Sequence, residues 1–160
     1  MSHPVVIEAQ RRFDVPLPAA FAYITDLARW PEYWPGLEHV DPESRWQEPG
    51  DRARVVLRMI GRRVELQMTL GRLLPCRLVE YTSVQAGLPD AHHERHFEEI
   101  DGGFRYRVVV AYEPRRGLRR LFDLVVVRRA TRRALLRTLA NLDAVFAAWE
   151  GPGNRAGGEL

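Results

Sequence analysis

A period-two pattern, in which apolar residues alternate mainly with charged or polar ones, occurs in three segments and is the feature that most restricts the fold of this chain. The segments are residues 52–60, 62–70 and 104–112. Successive side chains of a β-strand point to opposite faces of a sheet, so a period of two places the apolar set on one face and the charged set on the other. One buried and one solvated face is typical of antiparallel sheets. The apolar sets are Val55, Leu57 and Met59; Val64, Leu66, Met68 and Leu70; and Phe104, Tyr106, Val108, Val110 and Tyr112.

Proline and glycine divide the region around these segments at a regular spacing. Between residues 38 and 113 the breaks fall about every ten residues, which is typical of an antiparallel meander. Weaker alternation predicts further strands at 5–14, 76–86 and 91–100. Gly71 follows a strongly alternating segment and predicts a bulge or bend.

Two short helices are predicted after the first strand. Pro16 and Pro18 flank the beginning of the first, where a missing backbone N–H does no harm, and the apolar residues that follow recur at helical spacing. Residues 27–30 predict a second short helix, broken by Pro31 and Pro35.

Residues 118–149 predict one long C-terminal helix. An apolar stripe at helical spacing supports it, and the β-branched run at 124–127 predicts a kink or a loose first section. The stripe consists of Leu135, Leu139, Leu142, Phe146 and Trp149.

This order of elements predicts an α+β fold, in which a curved antiparallel sheet of six or seven strands wraps around the long C-terminal helix. A length of 160 residues fits one domain, which we assign to residues 1–150, with a disordered tail at 151–160. A sheet that grips a single helix leaves space for a cavity, and such cavities are common ligand sites.

Several functional classes are excluded by composition. Cys76 is the single cysteine, so neither an intrachain disulfide nor a cysteine-based zinc site is expected. The sequence contains no apolar run of transmembrane length and no signal-peptide pattern, which predicts a cytoplasmic protein. Glycine-rich phosphate loops and nucleophile elbows are also absent from the sequence.

The N-terminal third carries a family resemblance. The segments Arg12-Phe13-Asp14-Val15-Pro16-Leu17-Pro18-Ala19-Ala20-Phe21-Ala22-Tyr23 and Thr25-Asp26-Leu27-Ala28-Arg29-Trp30-Pro31-Glu32-Tyr33-Trp34-Pro35-Gly36, together with the order of elements, resemble the START-like helix-grip superfamily (SRPBCC). The closest resemblance is to its polyketide cyclase/dehydrase branch, over about residues 5 to 149.

The resemblance implies an apolar cavity between the sheet and the C-terminal helix. Such cavities hold hydrophobic ligands, often lipids or ring-containing molecules, and need no obligatory metal or nucleotide cofactor. Aromatase/cyclases of this type place an Arg from a middle strand in the cavity, with Tyr and Trp helpers. The inward face of 62–70 carries no Arg in this sequence, which favours a binder over a cyclase.

Predicted walls of the cavity follow from these faces. Trp30 and Trp34, with Tyr33, read equally well as a lid over the cavity mouth or as core packing. The inner helix face is expected near Leu121 and Val125. The remaining predicted wall residues are Val55, Leu57, Met59, Leu66, Met68, Arg95, Phe97, Tyr106, Val108 and Val110.

The segment 91–99 holds three of the five histidines. On one face, His92, Glu94 and His96 have the residue types of a metal site, but we favour a solvated outer face and predict no metal. On the other face, Phe97 is expected to point inward and to take His93 and Arg95 with it.

Arg95 is the candidate that orients a ligand. A buried Arg needs a partner, either a ligand carboxylate, phosphate or carbonyl, or an inward acid such as Glu80. The opposite strand parity would instead place Arg95 in water. In an enzyme, Arg95 would stabilise an oxyanion or carbonyl, and Tyr33, Tyr81 or His93 would donate the proton.

All 24 basic residues are Arg, and nine of them fall within residues 115–137. A genome with GC-rich codons and a solvated helix face account for this, but the face with Arg129, Arg132 and Arg133 also fits an acidic carrier protein or an anionic membrane surface. Nucleic acid is not expected, because aromatic residues are not interleaved with this run.

The sequence therefore favours carriage of a small hydrophobic molecule, such as a lipid, a quinone or an aromatic polyketide-like compound. A cyclase/dehydrase is the first alternative, and an interaction module that acts through the basic helix is the second.

Overall fold

The seven strands form one antiparallel sheet in the computed structural model, which describes residues 3–149. The spatial order of the strands is β1-β7-β6-β5-β4-β3-β2. The predicted tail at 151–160 lies outside the described residues. The strands are β1 (Val5–Phe13), β2 (Leu37–Val40), β3 (Arg52–Met59), β4 (Arg62–Leu74), β5 (Leu78–Val84), β6 (Ala91–Ile100) and β7 (Gly103–Tyr112).

The predicted alternation is confirmed in the sheet. On β7, Phe104, Tyr106 and Val108 are buried whereas Arg105 lies outside. The pairing of β4 with β5 shifts register between Leu70 and Arg72, which confirms the irregularity predicted at Gly71. The concave face of the sheet is therefore apolar and its outer face is charged.

The β3–β4 hairpin has an unusual turn. Ile60 and Gly61 form its two-residue loop, with φ of 53° and 70°. Turns of this kind favour Asn and Gly at both central positions, because both residues are left-handed. Ile60 is β-branched and costs roughly 1–2 kcal/mol of backbone strain in this conformation.

Two short helices follow β1, as the sequence predicts. Helix α1 (Leu17–Thr25) is followed by a 3₁₀ turn (Leu27–Arg29) and α2 (Trp30–Tyr33). The prediction that Pro31 breaks the second helix is wrong: Pro31 lies in the first turn of α2, where its missing N–H has no helical partner to lose.

The long C-terminal helix, residues 118–147, has three sections: α3 (Leu118–Phe122), a π-helical turn (Asp123–Val127) and α4 (Arg128–Ala147). The π turn coincides with the run that predicts a loose section. Leu135, Leu139, Leu142 and Phe146 are buried in the core, and the Phe146 ring packs edge-on against Phe13 at 5.1 Å. The C-terminal half of the helix thus fills the core.

Asp123 anchors the other half of the helix. Its fully buried carboxylate accepts hydrogen bonds from the Arg115 backbone N at 2.7 Å and from Nε and Nη2 of Arg115 at 3.0 and 2.7 Å. The Tyr112 hydroxyl donates to the Asp123 carbonyl at 2.6 Å. Hydrogen bonds from Arg115 hold the pKa of Asp123 below its usual value.

Replacing Asp123 with Ala is expected to lower the free energy of unfolding by about 3 kcal/mol, because the partly buried Arg115 loses its counter-ion. Chemical denaturation measures the change. Asp143→Ala is the matched control on the same helix, since Asp143 pairs with Arg11 at the surface, and it is expected to cost less than about 1 kcal/mol. Equal losses in the two variants would contradict this role.

Candidate functional site

A cavity of about 150 Å³ lies between the concave face of the sheet and the C-terminal helix. Its walls are almost wholly apolar, with a polar group formed by Arg95, Tyr81, His93 and Ser83. The lining residues are Trp34, Pro35, Leu57, Met59, Leu66, Met68, Tyr81, Ser83, Gln85, Leu88, Pro89, Ala91, His93, Arg95, Tyr106, Val108, Val110, Tyr112, Val127, Thr131, Ala134, Leu135 and Thr138.

Most of the predicted wall residues line this cavity, and four others lie buried outside its wall. Trp30, Tyr33, Val55 and Phe97 belong to the core. Trp30 donates from Nε1 to the Ile24 carbonyl at 3.0 Å. The aromatic cluster of α2 therefore divides: Trp34 lines the cavity, and Trp30 and Tyr33 pack as core.

The expectation that Leu121 and Val125 form the inner helix face is wrong. Their side chains are 68 % and 53 % exposed, whereas Asp123 and Val127 are buried. Two residues correspond to roughly half a turn of a helix, so the buried pair lies on the side opposite the predicted one. Apolar residues occupy both sides of this stretch, and the ion pair of Asp123 with Arg115 decides which side faces inward.

Arg95 lies at the centre of β6 and points inward between His93 and Phe97, which confirms the predicted parity. Its residue exposure is 4 %. Nη2 donates to the Tyr81 hydroxyl at 3.0 Å and Nη1 to the Tyr33 hydroxyl at 3.5 Å. Nε has no hydrogen-bond partner among the described residues.

Within residues 3–149, no carboxylate forms a salt bridge with Arg95. The proposed partner Glu80 is on the outer face, where Arg72 Nη1 lies 3.5 Å from it. Tyr81, the next residue along β5, points inward instead. The guanidinium is always charged, so within the described part of the chain it is a buried cation without a counter-ion.

Aromatic rings partly compensate this charge. The Arg95 Cζ lies 5.2 Å from the ring centroids of both Trp34 and Tyr81 and 6.0 Å from that of Trp30. Cation–π contacts supply about 2 kcal/mol when desolvated, far less than a buried unpaired cation loses in hydration. A ligand with a negative or strongly polar group would therefore find a strong partner in Arg95.

His93 is a neutral hydrogen-bonding group in this wall. Its ring stacks on Tyr81, with centroids 4.4 Å apart, and its Nε2 lies 2.9 Å from the Ser83 hydroxyl. Burial, and then the charges of Arg95 and His92, lower the pKa of His93 to about 3. His93 thus carries no positive charge near neutral pH.

This shift predicts a pH dependence of stability. In the unfolded chain the His93 pKa returns to about 6.5, so the unfolded state binds the proton first as pH falls. Acidification from pH 7 to pH 4 is expected to cost about 3 kcal/mol of unfolding free energy through His93. Denaturation of His93→Gln at both pH values should lack this part of the loss. His39→Gln, at an exposed position, should retain it; equal pH dependence of both variants would contradict the assignment.

The tyrosines differ in their hydroxyl protons. Tyr33 donates its proton to the Ile24 carbonyl at 2.7 Å, and burial raises its pKa. Burial likewise raises the pKa of Tyr106 to about 12. Among the described residues Tyr81 has no acceptor for its proton while it accepts from Arg95. The Tyr81 hydroxyl, beside Arg95, is therefore free to donate its proton to a ligand.

The outer face of β6 holds the predicted group of His92, Glu94 and His96. The Glu94 carboxylate lies 2.7 Å from His96 Nε2 and 3.5 Å from His92 Nε2, and the hydrogen bond from His96 lowers the pKa of Glu94. Ligand atoms of Glu80, His92 and Glu94 lie within 4.8 Å of one another. These side chains could meet a metal ion, but on the face of the sheet opposite to the cavity.

Several residues that line the cavity were not predicted from the sequence. Ser83 shares its face with Val79 and Tyr81, so the parity of β5 could have revealed it. Leu88 and Pro89 belong to a loop without periodicity, and no pattern in the sequence marks them.

None of the helices within residues 3–149 is long and apolar enough to span a membrane.

Solved structures share this fold. A protein from Thermus thermophilus is similar with a TM-score of 0.76 and 16 % identity, over 90 % of this chain and 98 % of that chain. The ZhuI aromatase/cyclase from Streptomyces sp. R1128 has a TM-score of 0.70 and 14 % identity, over 88 % of this chain and 94 % of that chain. A START superfamily protein from Mycobacterium smegmatis has a TM-score of 0.71 and 9 % identity, over 89 % of this chain and 97 % of that chain. At these identities the similarity is one of fold.

Sequence comparison adds the family. No curated protein matches the sequence significantly. The family model described as polyketide cyclase / dehydrase and lipid transport matches residues 4–147, nearly all of the part that the structure describes. The predicted START-like resemblance and helix-grip architecture are thereby confirmed, and the chain belongs to the polyketide cyclase/dehydrase and lipid transport family.

Proposed function

We propose that this protein binds and carries a small hydrophobic molecule that has a negatively charged or strongly polar end. The observation that carries the proposal is Arg95: a guanidinium that is 4 % exposed, lines an apolar cavity and has an unsatisfied Nε. A ligand carboxylate can accept two parallel hydrogen bonds from a guanidinium. Such a ligand would supply the counter-charge that the described chain does not.

Burial along the cavity supports an orientation for the ligand. Arg95, Tyr81 and Ser83 are buried, whereas Met59 and Leu88 are partly exposed. The polar end would therefore lie deep, against β5 and β6, and the apolar end would point toward the β3–β4 hairpin and the β5–β6 loop. A cavity volume of about 150 Å³ suits one six-membered ring, so a longer ligand would extend past Met59 and Leu88 toward solvent.

Isothermal titration with para-butylbenzoate and its neutral isostere para-butylbenzamide tests this proposal. The two probes have the same ring and chain, so they differ in the group that meets Arg95. We expect the carboxylate to bind at least tenfold more tightly, because hydrogen bonds with a charged partner contribute about 1.5–3 kcal/mol. Equal affinities, or no binding of either probe, would contradict the proposal.

A cyclase/dehydrase of the aromatase type is the second candidate, and the pair of Arg95 with Tyr81 favours it. In an intramolecular aldol closure, the enol carbon of the β-ketone would attack a carbonyl of the same substrate and the enol O–H proton would pass to solvent water. Arg95 would stabilise the oxyanion that develops on the attacked carbonyl, the Tyr81 hydroxyl would give that oxygen its proton, and Tyr81 would regain a proton from solvent. Tyr33 is less suitable because its proton is held by Ile24, and His93 because it is neutral.

Turnover of a poly-β-ketone thioester distinguishes the two candidates. A carrier leaves the rate of cyclisation unchanged, whereas an enzyme accelerates it and loses most of that acceleration in Tyr81→Phe. The same variant should still bind para-butylbenzoate, since Arg95 remains.

A further inference from the structure

Exposed apolar side chains are concentrated at one end of the molecule. Ten large hydrophobic residues are exposed in the described chain, and five of them lie in the first ten residues of the C-terminal helix. Leu118 is 96 % exposed and Leu121 is 68 % exposed. We call this set, together with Ile60 of the neighbouring hairpin, the apolar rim: Ile60, Leu118, Leu121, Phe122, Val125 and Val126.

Ile60 is the member of the apolar rim that a folded monomer alone does not explain. It is 37 % exposed and adopts a left-handed backbone conformation that Asn or Gly adopts without strain. It borders one surface groove with Val125 and Val126 of the helix. An apolar side chain that is both strained and exposed gains from contact with a further apolar phase.

Arginines border the apolar rim, both on the same helix and in the residues just before it. Eight of them are exposed and form no ion pair within residues 3–149: Arg116, Arg119, Arg120, Arg128, Arg129, Arg132, Arg133 and Arg137. The one acid among residues 116–137 is Asp123, which is already bound to Arg115. We call these eight residues the arginine band.

The arginine band differs from the arginines of the outer sheet face. There, Arg58 and Arg63 pair with Glu38, Arg105 pairs with Glu98, and Arg107 pairs with Glu8. Within residues 3–149, Arg52 and Arg62 of the sheet also form no ion pair, so the difference between the two groups is one of proportion. Most outer arginines of the sheet have acidic partners, whereas all eight arginines of the band lack one, and a general excess of arginine does not explain this difference. The positive potential is therefore concentrated at the apolar rim.

Positive charges around exposed aliphatic side chains fit an anionic lipid surface. Lipid headgroups attract the arginines while the aliphatic groups enter the interface, as in interfacial amphipathic helices. Nucleic acid offers no apolar phase for Leu118, Leu121 and Ile60. The rim also lies at the opening of the cavity, since its groove and the cavity share Pro35, Met59 and Ala134.

We propose that the apolar rim and the arginine band dock this protein reversibly on an anionic lipid surface, with the cavity mouth facing the bilayer. The proposal of docking depends only on the exposed residues. The exchange of a cavity ligand with the bilayer also depends on the proposed function.

Co-sedimentation with vesicles tests the docking. We expect the full chain to bind vesicles of phosphatidylcholine with phosphatidylserine, to bind phosphatidylcholine vesicles far less, and to dissociate as salt is raised. Failure to bind the anionic vesicles would overturn the proposal.

Ile60→Asn is the most informative variant, because it removes an apolar side chain and also relieves backbone strain. We expect vesicle affinity to fall about tenfold while the melting temperature stays the same or rises. Unchanged vesicle affinity would overturn the proposal, because the arginine band would then act as a purely electrostatic surface, as expected for an acidic protein partner.

The charge requirement has a matched pair of triple variants. Arg129→Gln/Arg132→Gln/Arg133→Gln is expected to lower vesicle affinity about 100-fold. Arg72→Gln/Arg105→Gln/Arg107→Gln removes the same charge from the outer sheet face and should change it less than threefold. Equal losses would overturn the proposal in favour of bulk charge. Titration of all variants with para-butylbenzoate reports cavity binding separately, so failure of docking and failure of the proposed function are distinguishable.

Discussion

Replacing Arg95 with Met is expected to lower the affinity for para-butylbenzoate about 100-fold, while the affinity for para-butylbenzamide changes less than tenfold. The carboxylate loses a charged, desolvated partner, whereas the amide loses neutral hydrogen bonds. Isothermal titration measures both. The matched control is Arg107→Met on the outer face of β7, whose partner Glu8 is at the surface.

The same substitution is expected to raise the free energy of unfolding by about 1–3 kcal/mol without ligand. Met is similar in length to Arg, and it removes a buried charge that has no counter-ion among the described residues. We expect Arg95→Met to be more stable than wild type and to lose carboxylate binding. This combination is expected when a residue serves ligand binding and is not needed for the fold. A large loss of stability in Arg95→Met would instead assign Arg95 to the core.

Ala134→Phe is expected to abolish binding of both probes. Ala134 lines the cavity from α4, and the added ring would occupy most of the 150 Å³. The added ring would enter empty space in the cavity and would not push packed side chains aside. We therefore expect the free energy of unfolding to change by less than about 2 kcal/mol.

Ala144→Phe is the control for this substitution, because Ala144 is exposed on the same helix. It should leave the titration of either probe unchanged. Wild-type affinity in Ala134→Phe would place the probes outside the cavity and contradict the account.

The sheet and the position of Arg95 were predictable because one rule governs both. Period-two alternation assigns every residue of a strand to a face once a single residue is assigned, so Phe97 sufficed to place His93 and Arg95. The same rule, applied to β5 from Tyr81, excludes Glu80 as a partner. The C-terminal helix was predictable as an element for the same kind of reason.

The inner face of its first section was not predictable from periodicity. Leu121, Val125 and Val127 are all apolar, so the pattern alone fits either side of the helix. The choice depends on Asp123, which is buried through its bonds with Arg115, eight residues earlier in the chain. The cavity volume was equally inaccessible, since it depends on how far a helix stands from a sheet and not on which residues face each other.

Methionine methyl NMR tests the central claim most directly. The chain has three methionines, and Met59 and Met68 both line the cavity, one near its opening and one fully buried. With ¹³C-methyl methionine, we predict that para-butylbenzoate shifts both signals and gives ring-proton NOEs to Met68 and butyl-proton NOEs to Met59. Bound ligand that leaves the Met68 methyl unshifted and without NOEs would contradict a hydrophobic guest held against Arg95.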